Sequence, residues 1–495
     1  MKSFIRIRGI FAALIVMALL ITCTGRQQDA GESSEPYTVA IQVVVLPGTN
    51  FEGKADREAA INAITVPAIN VRVEIQETWI NQVVNTTAMS VASNEKIDLI
   101  HVATVQRLSS LVGSDILLDM NENNILQTYG KDLIRMFGGL MDTGYVNGRQ
   151  LAIPALNYTA ASYGVYLNKD MADQYGIRVP EKTDMDGLEA MLLAFRRANT
   201  NVVPYSYGTA EMNFLQFVRG YDGFGREASY GAILDSTREL KVENIYASAL
   251  FRDFVIRMFS WRQNGLIPGD TTDATPNQTY FAARQLFANP ASLSPQANTA
   301  VSAQSDFNVA FVELTERKVT GNLLTEYMWG IATTSRNPRK VMEFLNLMYT
   351  NGDVANILMY GLNGVNYNFA PGSNRVVVRN GTYNPVFFRG GNPDNMYILS
   401  PAGYDYVDQL KAYEASATVS PVAAYMFNDS AFQTEAAVIY ATILEYLPRL
   451  QSGAAASERD ILALLDQFNT QLRASGIDRV IAENQRQLDA WLRSR

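Results

Sequence analysis

The stretch TVAIQVVVL, residues 38–46, decides the fold. It is apolar at almost every position, rich in β-branched side chains, and ends at Pro47-Gly48. A strand without a polar face belongs in a sheet covered on both sides. The neighbouring segments agree. Residues 56–64 read as a helix ending near Pro67, and residues 69–76 (INVRVEIQ) alternate as a second strand. Residues 81–93 then read as helix and residues 97–102 as a third strand. Strand, helix, strand, helix, strand is the signature of an α/β lobe with a largely parallel sheet.

Working outward, GRQLAIP at 148–154 marks a change of direction, and YGVYL at 163–167 is a further strand. Residues 186–197 and 246–261 read as amphipathic helices. Strand character returns at 329–333. Asn337-Pro338 then opens a helix, since Asn caps the orphan N–H groups and Pro fits the first helical position. Val341, Phe344, Leu345 and Met348 share one face of that helix. A helix over 353–360 stops at Gly361. Beyond a loop-rich stretch at 372–395 the chain becomes helical. Ile461, Leu464, Leu465, Phe468 and Leu472 form one apolar stripe; Ile477, Val480, Ile481, Leu488, Trp491 and Leu492 form another.

The N-terminus carries a different signal. Lys2, Arg6 and Arg8 precede an apolar run from Ile10 to Ile21, too short to span a bilayer as a mature helix. Leu20-Ile21-Thr22-Cys23 resembles the lipobox of bacterial lipoproteins, and Cys23 is the chain's one cysteine. The resemblance implies a signal peptide over 1–22, a lipid on Cys23 and a flexible tether over 23–36.

Composition excludes several classes. Net charge is −8, and loss of Lys2, Arg6 and Arg8 with the signal takes it to −11. Such acidity argues against nucleic acid and against an anionic membrane surface. One Cys and one His cannot build a thiolate or imidazole zinc cluster. A histidine-based triad would have to use His101, which lies in an apolar run and reads as a packed core or rim residue. Gly223-Phe224-Gly225 reads as a turn; no P-loop, G-x-S-x-G elbow, H-E-x-x-H or EF-hand loop occurs. Glu211 and Glu326 are the acids that paired-carboxylate hydrolysis would draw on, but both read as solvated or salt-bridged surface acids.

Aromatic and amide-rich loops stand out instead: Asn157-Tyr158, Pro204-Tyr205-Ser206-Tyr207, Tyr327-Met328-Trp329 and Tyr425-Met426-Phe427-Asn428-Asp429. Flat rings stack on the C–H faces of sugars, while amides and carboxylates reach hydroxyls.

Six segments, in order, carry a resemblance: YGKDL at 129–133 with VNGRQLAIP at 146–154, SYGVYLNKD at 162–170, WGIATTSRNP at 329–338, YGLNGVNY at 360–367, and GIDRVIAENQRQLDAWL at 476–492. On these the chain resembles the extracellular solute-binding proteins of ABC importers, the family that includes maltose-binding protein. Within it the chain is most similar to the LipO-like lipoproteins with a C-terminal domain of unknown function. The resemblance implies an α/β, two-lobed, type II periplasmic-binding-protein fold with a hinged cleft. Lobe one would comprise 37–150 and a return over 311–368; lobe two would comprise 151–310 and a helical part over 369–495. It implies a monomeric, non-enzymatic receptor with no catalytic residues, cofactor or metal. The receptor would be lipid-anchored outside the cytoplasm, capturing a saccharide or oligosaccharide for an ABC permease. A secreted carbohydrate-active enzyme using paired carboxylates is the alternative. Cleft residues implied are Thr104, Gln106, Arg107 and Trp329 from lobe one. From lobe two they are Asn157, Tyr158, Tyr163, Tyr205, Tyr207, Asn289, Phe427 and Asn428.

Overall fold

The computed structural model describes residues 35–46, 48–102, 106–156, 158–206, 220–234, 238–268, 277–325, 327–381, 383, 385 and 391–493. The expected signal peptide, Cys23 and nearly all of the tether lie outside them. The first lobe opens with β1 (Tyr37–Val45), α1 (Lys54–Ile69), β2 (Val71–Trp79), α2 (Val83–Ala92), β3 (Leu99–Val102) and α3 (Leu108–Gly113). The second contributes β4 (Ser162–Asn168), β5 (Val203–Tyr205), α4 (Ala249–Gln263), β6 (Leu286–Leu293) and β7 (Val309–Glu313). The chain returns through β8 (Met328–Ile331), α5 (Pro338–Thr350) and α6 (Gly352–Tyr360). It ends in α7 (Tyr406–Ala415), α8 (Gln433–Gln451), α9 (Glu458–Ala474) and α10 (Ile477–Arg493).

The first sheet has the order β8-β3-β1-β2. Its β1 is buried from Val39 onward, as the apolar run requires. It pairs in parallel with β2, from Tyr37↔Val71 to Val45↔Trp79, and with β3 at Ile41↔Leu99. β8 runs antiparallel to β3. At the free edge, side chains of α1 cover outward donors of β2. Asn62 Oδ1 accepts from the Val73 N–H at 2.7 Å, and Glu58 Oε1 from the Ile75 N–H at 2.8 Å. α1 continues through Pro67, which forfeits a single helical donor near the end. The stop comes at Asn70, left-handed at φ 53°, with its N–H bonded to the Val66 carbonyl. On the inner face Arg57 is fully buried, paired with Glu77 at 2.6 Å and lying 4.1 Å over the Tyr383 ring.

α5 begins as the sequence indicates: Asn337 Oδ1 accepts from the Lys340 N–H at 3.2 Å, and Val341, Phe344, Leu345 and Met348 are buried. They share one core with Val39, Ile41 and Val43 of β1 and Val71, Val73 and Ile75 of β2, together with Ile153 and Trp329.

The second sheet has the order β7-β4-β6-β5; β4 is antiparallel to both neighbours, and β6 is parallel to β5. Its core is separate and strongly aromatic, with Phe195 stacked on Phe287 at 4.0 Å and Tyr205 edge-on to Trp261 at 5.1 Å. The stripes of α9 and α10 pack into it: Ile461, Phe468, Leu472, Ile477, Val480 and Leu488 are buried, while Leu492 stays exposed.

Paired crossings join the lobes. Ile153 bridges Trp329 and Ala161 bridges Lys318, both antiparallel. A short strand, Lys318–Val319, then pairs in parallel with Thr418–Val419. The expected division shifts at three places. Leu151, Ala152 and Ile153 pack in first-lobe clusters, because the chain leaves that lobe only after its bridge to β8. Phe311 pairs with Tyr166 in the second sheet, so the return starts beyond β7. Tyr367–Phe369, Val376–Arg379 and Ile398–Leu399 form a small sheet, and Tyr367, Val377 and Met396 lie in the first core, drawn there by the Tyr360, Tyr367, Phe369 and Tyr397 ring cluster.

Candidate binding site between the lobes

Where the lobes face each other, the first contributes the end of β3 and the start of α3. Gln106 Nε2 donates to the His101 carbonyl at 2.9 Å and to Gln42 Oε1 at 3.3 Å, while Gln42 Nε2 donates to Thr87 Oγ1 at 2.8 Å. Gln106 is buried, and its Oε1 has no hydrogen-bond partner among the described residues. Arg107, next in line, stands at the N-cap of α3.

The second lobe answers with a turn and a loop. The turn, residues 225–231, presents Tyr230. Glu227 and Ala228 both take positive φ, at 49° and 55°. Non-glycine residues adopt that conformation at a cost that surrounding structure must offset. Here Tyr246 Oη donates to the Glu227 carbonyl at 2.6 Å, and Asn484 Nδ2 to the Tyr230 carbonyl at 2.8 Å. Gly231, at φ +89°, admits no side chain: a Cβ there would lie 2.7 Å from Val242. Gly223 ends a two-residue strand paired with Ala232, and Phe224-Gly225 lead from it into the turn that the sequence suggests.

The loop is residues 425–430. Its Tyr425 and Phe427 sit in the second core, and Met426 packs against the first-lobe cluster around Leu108 and Leu111. Gln487 of α10 holds it by accepting from the Asn428 N–H at 2.9 Å and donating to the Asn428 carbonyl at 3.1 Å. Tyr230 Oη donates to Asp429 Oδ2 at 2.7 Å, and the Tyr230 and Phe427 rings meet edge-to-face at 5.2 Å. Asp429 is buried, and its Oδ1 has no hydrogen-bond partner among the described residues. Burial pushes the Tyr230 phenol well up, and Asp429 adds to that; Arg107 opposes it, placing its positive field across the junction. Nearer the crossings, Asp222 Oδ2 pairs with Lys318 Nζ at 2.8 Å while its buried Oδ1 likewise lacks a described partner.

Of the residues singled out from sequence, the structure gathers Gln106, Arg107, Phe427 and Asn428 at this junction. Tyr163 sits at the start of β4, its N–H bonded to Thr315 Oγ1 at 2.8 Å. The others are placed differently. Trp329 is 1% exposed and belongs to the first core, because β8 is buried on both faces. Tyr205 is also 1% exposed, packed on Trp261. Asn289 is committed internally: its Nδ2 donates to Tyr166 Oη at 2.6 Å, and its Oδ1 accepts from Ser206 Oγ at 2.8 Å. Tyr158 points elsewhere, donating to Asp394 Oδ1 at 2.8 Å, with Asp394 paired to Lys411. Thr104, Asn157, Tyr207, Glu211 and Glu326 lie outside the described residues. His101 is buried beside Trp329, as its apolar setting indicates. Tyr230 and Asp222 went unmarked in the sequence, while Asp429 stands in the Tyr425–Asp429 run singled out there without being named as a cleft residue. The one available signal was the crowding of glycines around Tyr230. Among the described residues no three His, Cys, Asp or Glu gather to hold a metal ion, and no helix is long and apolar enough to cross a membrane.

Two separately cored α/β lobes joined by paired crossings define the type II periplasmic solute-binding fold. The crystal structure of the N-glycan transport solute binding protein NgtS from Streptococcus pneumoniae matches it at TM-score 0.78 and 21% identity, over 92% of this chain and 99% of that one. The same protein in complex with Man5GlcNAc matches at TM-score 0.65 and 21% identity, over 93% and 99%. In sequence the chain is similar to a carbohydrate ABC transporter substrate-binding protein of S. pneumoniae serotype 4, 24% identical over 98% of each. Residues 421–493 match a domain of unknown function, DUF3502. The chain is therefore similar over nearly its whole length to a carbohydrate ABC transporter substrate-binding protein, and its C-terminal part matches this domain of unknown function.

Proposed function

We propose that this protein is an extracytoplasmic receptor that captures a saccharide or oligosaccharide between its lobes and delivers it to an ABC importer. The observation that carries the reading is the pair of antiparallel crossing segments, bracketed by the Ile153↔Trp329 and Ala161↔Lys318 bridges, that join two lobes with separate cores. Such a joint lets two rigid bodies close on a ligand while each core stays packed. End-to-end similarity to a carbohydrate substrate-binding protein supports the class of ligand. Anchoring through a lipid on Cys23 would hold the receptor beside its permease. The ligand is bound and released unchanged, so the protein acts as monomer and receptor without catalysis.

Titration calorimetry against a panel of oligosaccharides, with mass spectrometry of the recovered sugar, tests this. At least one sugar binds and returns intact, and at 100 times Kd it adds about 2.7 kcal/mol of stability. Shortened sugars in the recovered pool would replace the receptor with an enzyme.

A further inference from the structure

Several buried acceptors where the lobes meet lack donors. Gln106 Oε1 on one side, and Asp429 Oδ1 and Asp222 Oδ1 on the other, are buried acceptors with no partner among the described residues. A buried acceptor left unmet is costly, and a charged one more so, which is why such groups in a native structure call for an explanation. A ligand rich in hydroxyls supplies the missing donors. A carboxylate, sulfate or phosphate brings further acceptors; Lys318 already offsets Asp222, but at Asp429 Oδ1 such a group meets like charge, opposed only at longer range by Arg107.

Asp429 is the best prepared of the three. One oxygen is fixed by Tyr230, which is held in a turn with two non-glycine residues at positive φ. The same C-terminal helix braces both parts, Asn484 holding the Tyr230 turn and Gln487 the Asn428 backbone. Strain maintained by surrounding bonds is characteristic of ligand clamps.

Resting on the carbohydrate reading above, we propose that Asp429 is the anchor for a hydroxyl of a neutral glycan, with Tyr230 as its positioning residue. The cleft thereby excludes acidic sugars at this place. The assignment also gives the C-terminal domain, residues 421–493, a part in binding, since it carries the anchor on its first loop and braces it from its last helix.

The test is calorimetry of the full chain with neutral oligosaccharides (maltopentaose, mannopentaose and Man5GlcNAc) and with pentagalacturonate, alongside thermal melts. Wild type binds a neutral sugar and ignores the uronate. Asp429→Asn loses about tenfold or more in affinity for that sugar, the scale of a charged hydrogen bond. Tyr230→Phe keeps the charge and loses less; the melts report whether either variant is folded. Should Asp429→Asn unfold, Tyr230→Phe decides alone, and an unchanged Kd there overturns the proposal. Wild-type affinity in Asp429→Asn overturns it too, as does uronate binding as tight as the neutral sugar. A wild type that binds no neutral sugar at all would fail the carbohydrate reading itself.

Discussion

Trp329 faces His101 directly across the β3–β8 ladder, their rings 5.0 Å apart and tilted by 49°. The indole fills first-lobe core beside the crossing at Ile153. Trp329→Ala should therefore cost about 3–5 kcal/mol of stability, the usual range for deleting a buried large aromatic. Denaturant unfolding measures the loss, and calorimetry on the folded fraction should return the wild-type Kd. A weakened Kd at unaltered stability would put Trp329 back among the ligand contacts.

The crossings make a second prediction. A ligand closes the lobes only by as much as it prefers the closed form. Small-angle scattering should give a smaller radius of gyration at saturating oligosaccharide than without it. Equal radii would argue against a hinged receptor.

Arg57 joins α1, β2 and Tyr383, and its removal leaves Glu77 buried without its cation. Breaking such a pair costs about 3–5 kcal/mol, while removing both charges costs less. Arg57→Ala should fall in that range, and Arg57→Met with Glu77→Gln should recover part of it. If the double variant is no more stable than Arg57→Ala, the charge left behind was not the cause.

Glu414 supplies a pH signature. Its Oε2 accepts from the Ala160 N–H at 2.6 Å where the first crossing enters the second lobe, and burial raises its carboxyl above the ordinary 4.5. An acid with a raised folded pKa leaves the native state holding more protons. Its contribution is full below the unfolded value and is lost as pH rises through the folded one. Glu414→Gln keeps an acceptor and removes the titration. The stability of wild type minus that of Glu414→Gln should be greatest near pH 4 and decline above about 4.5. A flat difference to neutrality contradicts the assignment.

Cys23 gives a prediction outside the described residues. If it carries lipid, Cys23→Ala should move the protein from the membrane fraction to the soluble one, since stable anchoring needs about two acyl chains or their equivalent. Unchanged fractionation would remove the lipid from the proposal.

Much of the first lobe was legible because its signals are local: an apolar run for β1, alternation for β2, and a capped start at Asn337-Pro338. The stripes of α9 and α10 were equally plain. Which aromatics face the cleft was not. Trp329 and Tyr205 carry the chemistry of ligand contacts, yet each lies on a strand buried on both faces, which a sequence window cannot tell from one buried on a single face. The Tyr230–Asp429 contact joins residues 199 positions apart, held by a third segment in α10. No local pattern encodes such a meeting.

The covering of β2 by Asn62 and Glu58 has a bearing on life at high concentration. An unguarded border strand invites a neighbour to continue the sheet. Here alternate amide hydrogens already have partners within their own molecule, so a second copy arriving alongside finds a broken ladder. Copies brought together at high concentration can then meet edge to edge without fusing into ribbons.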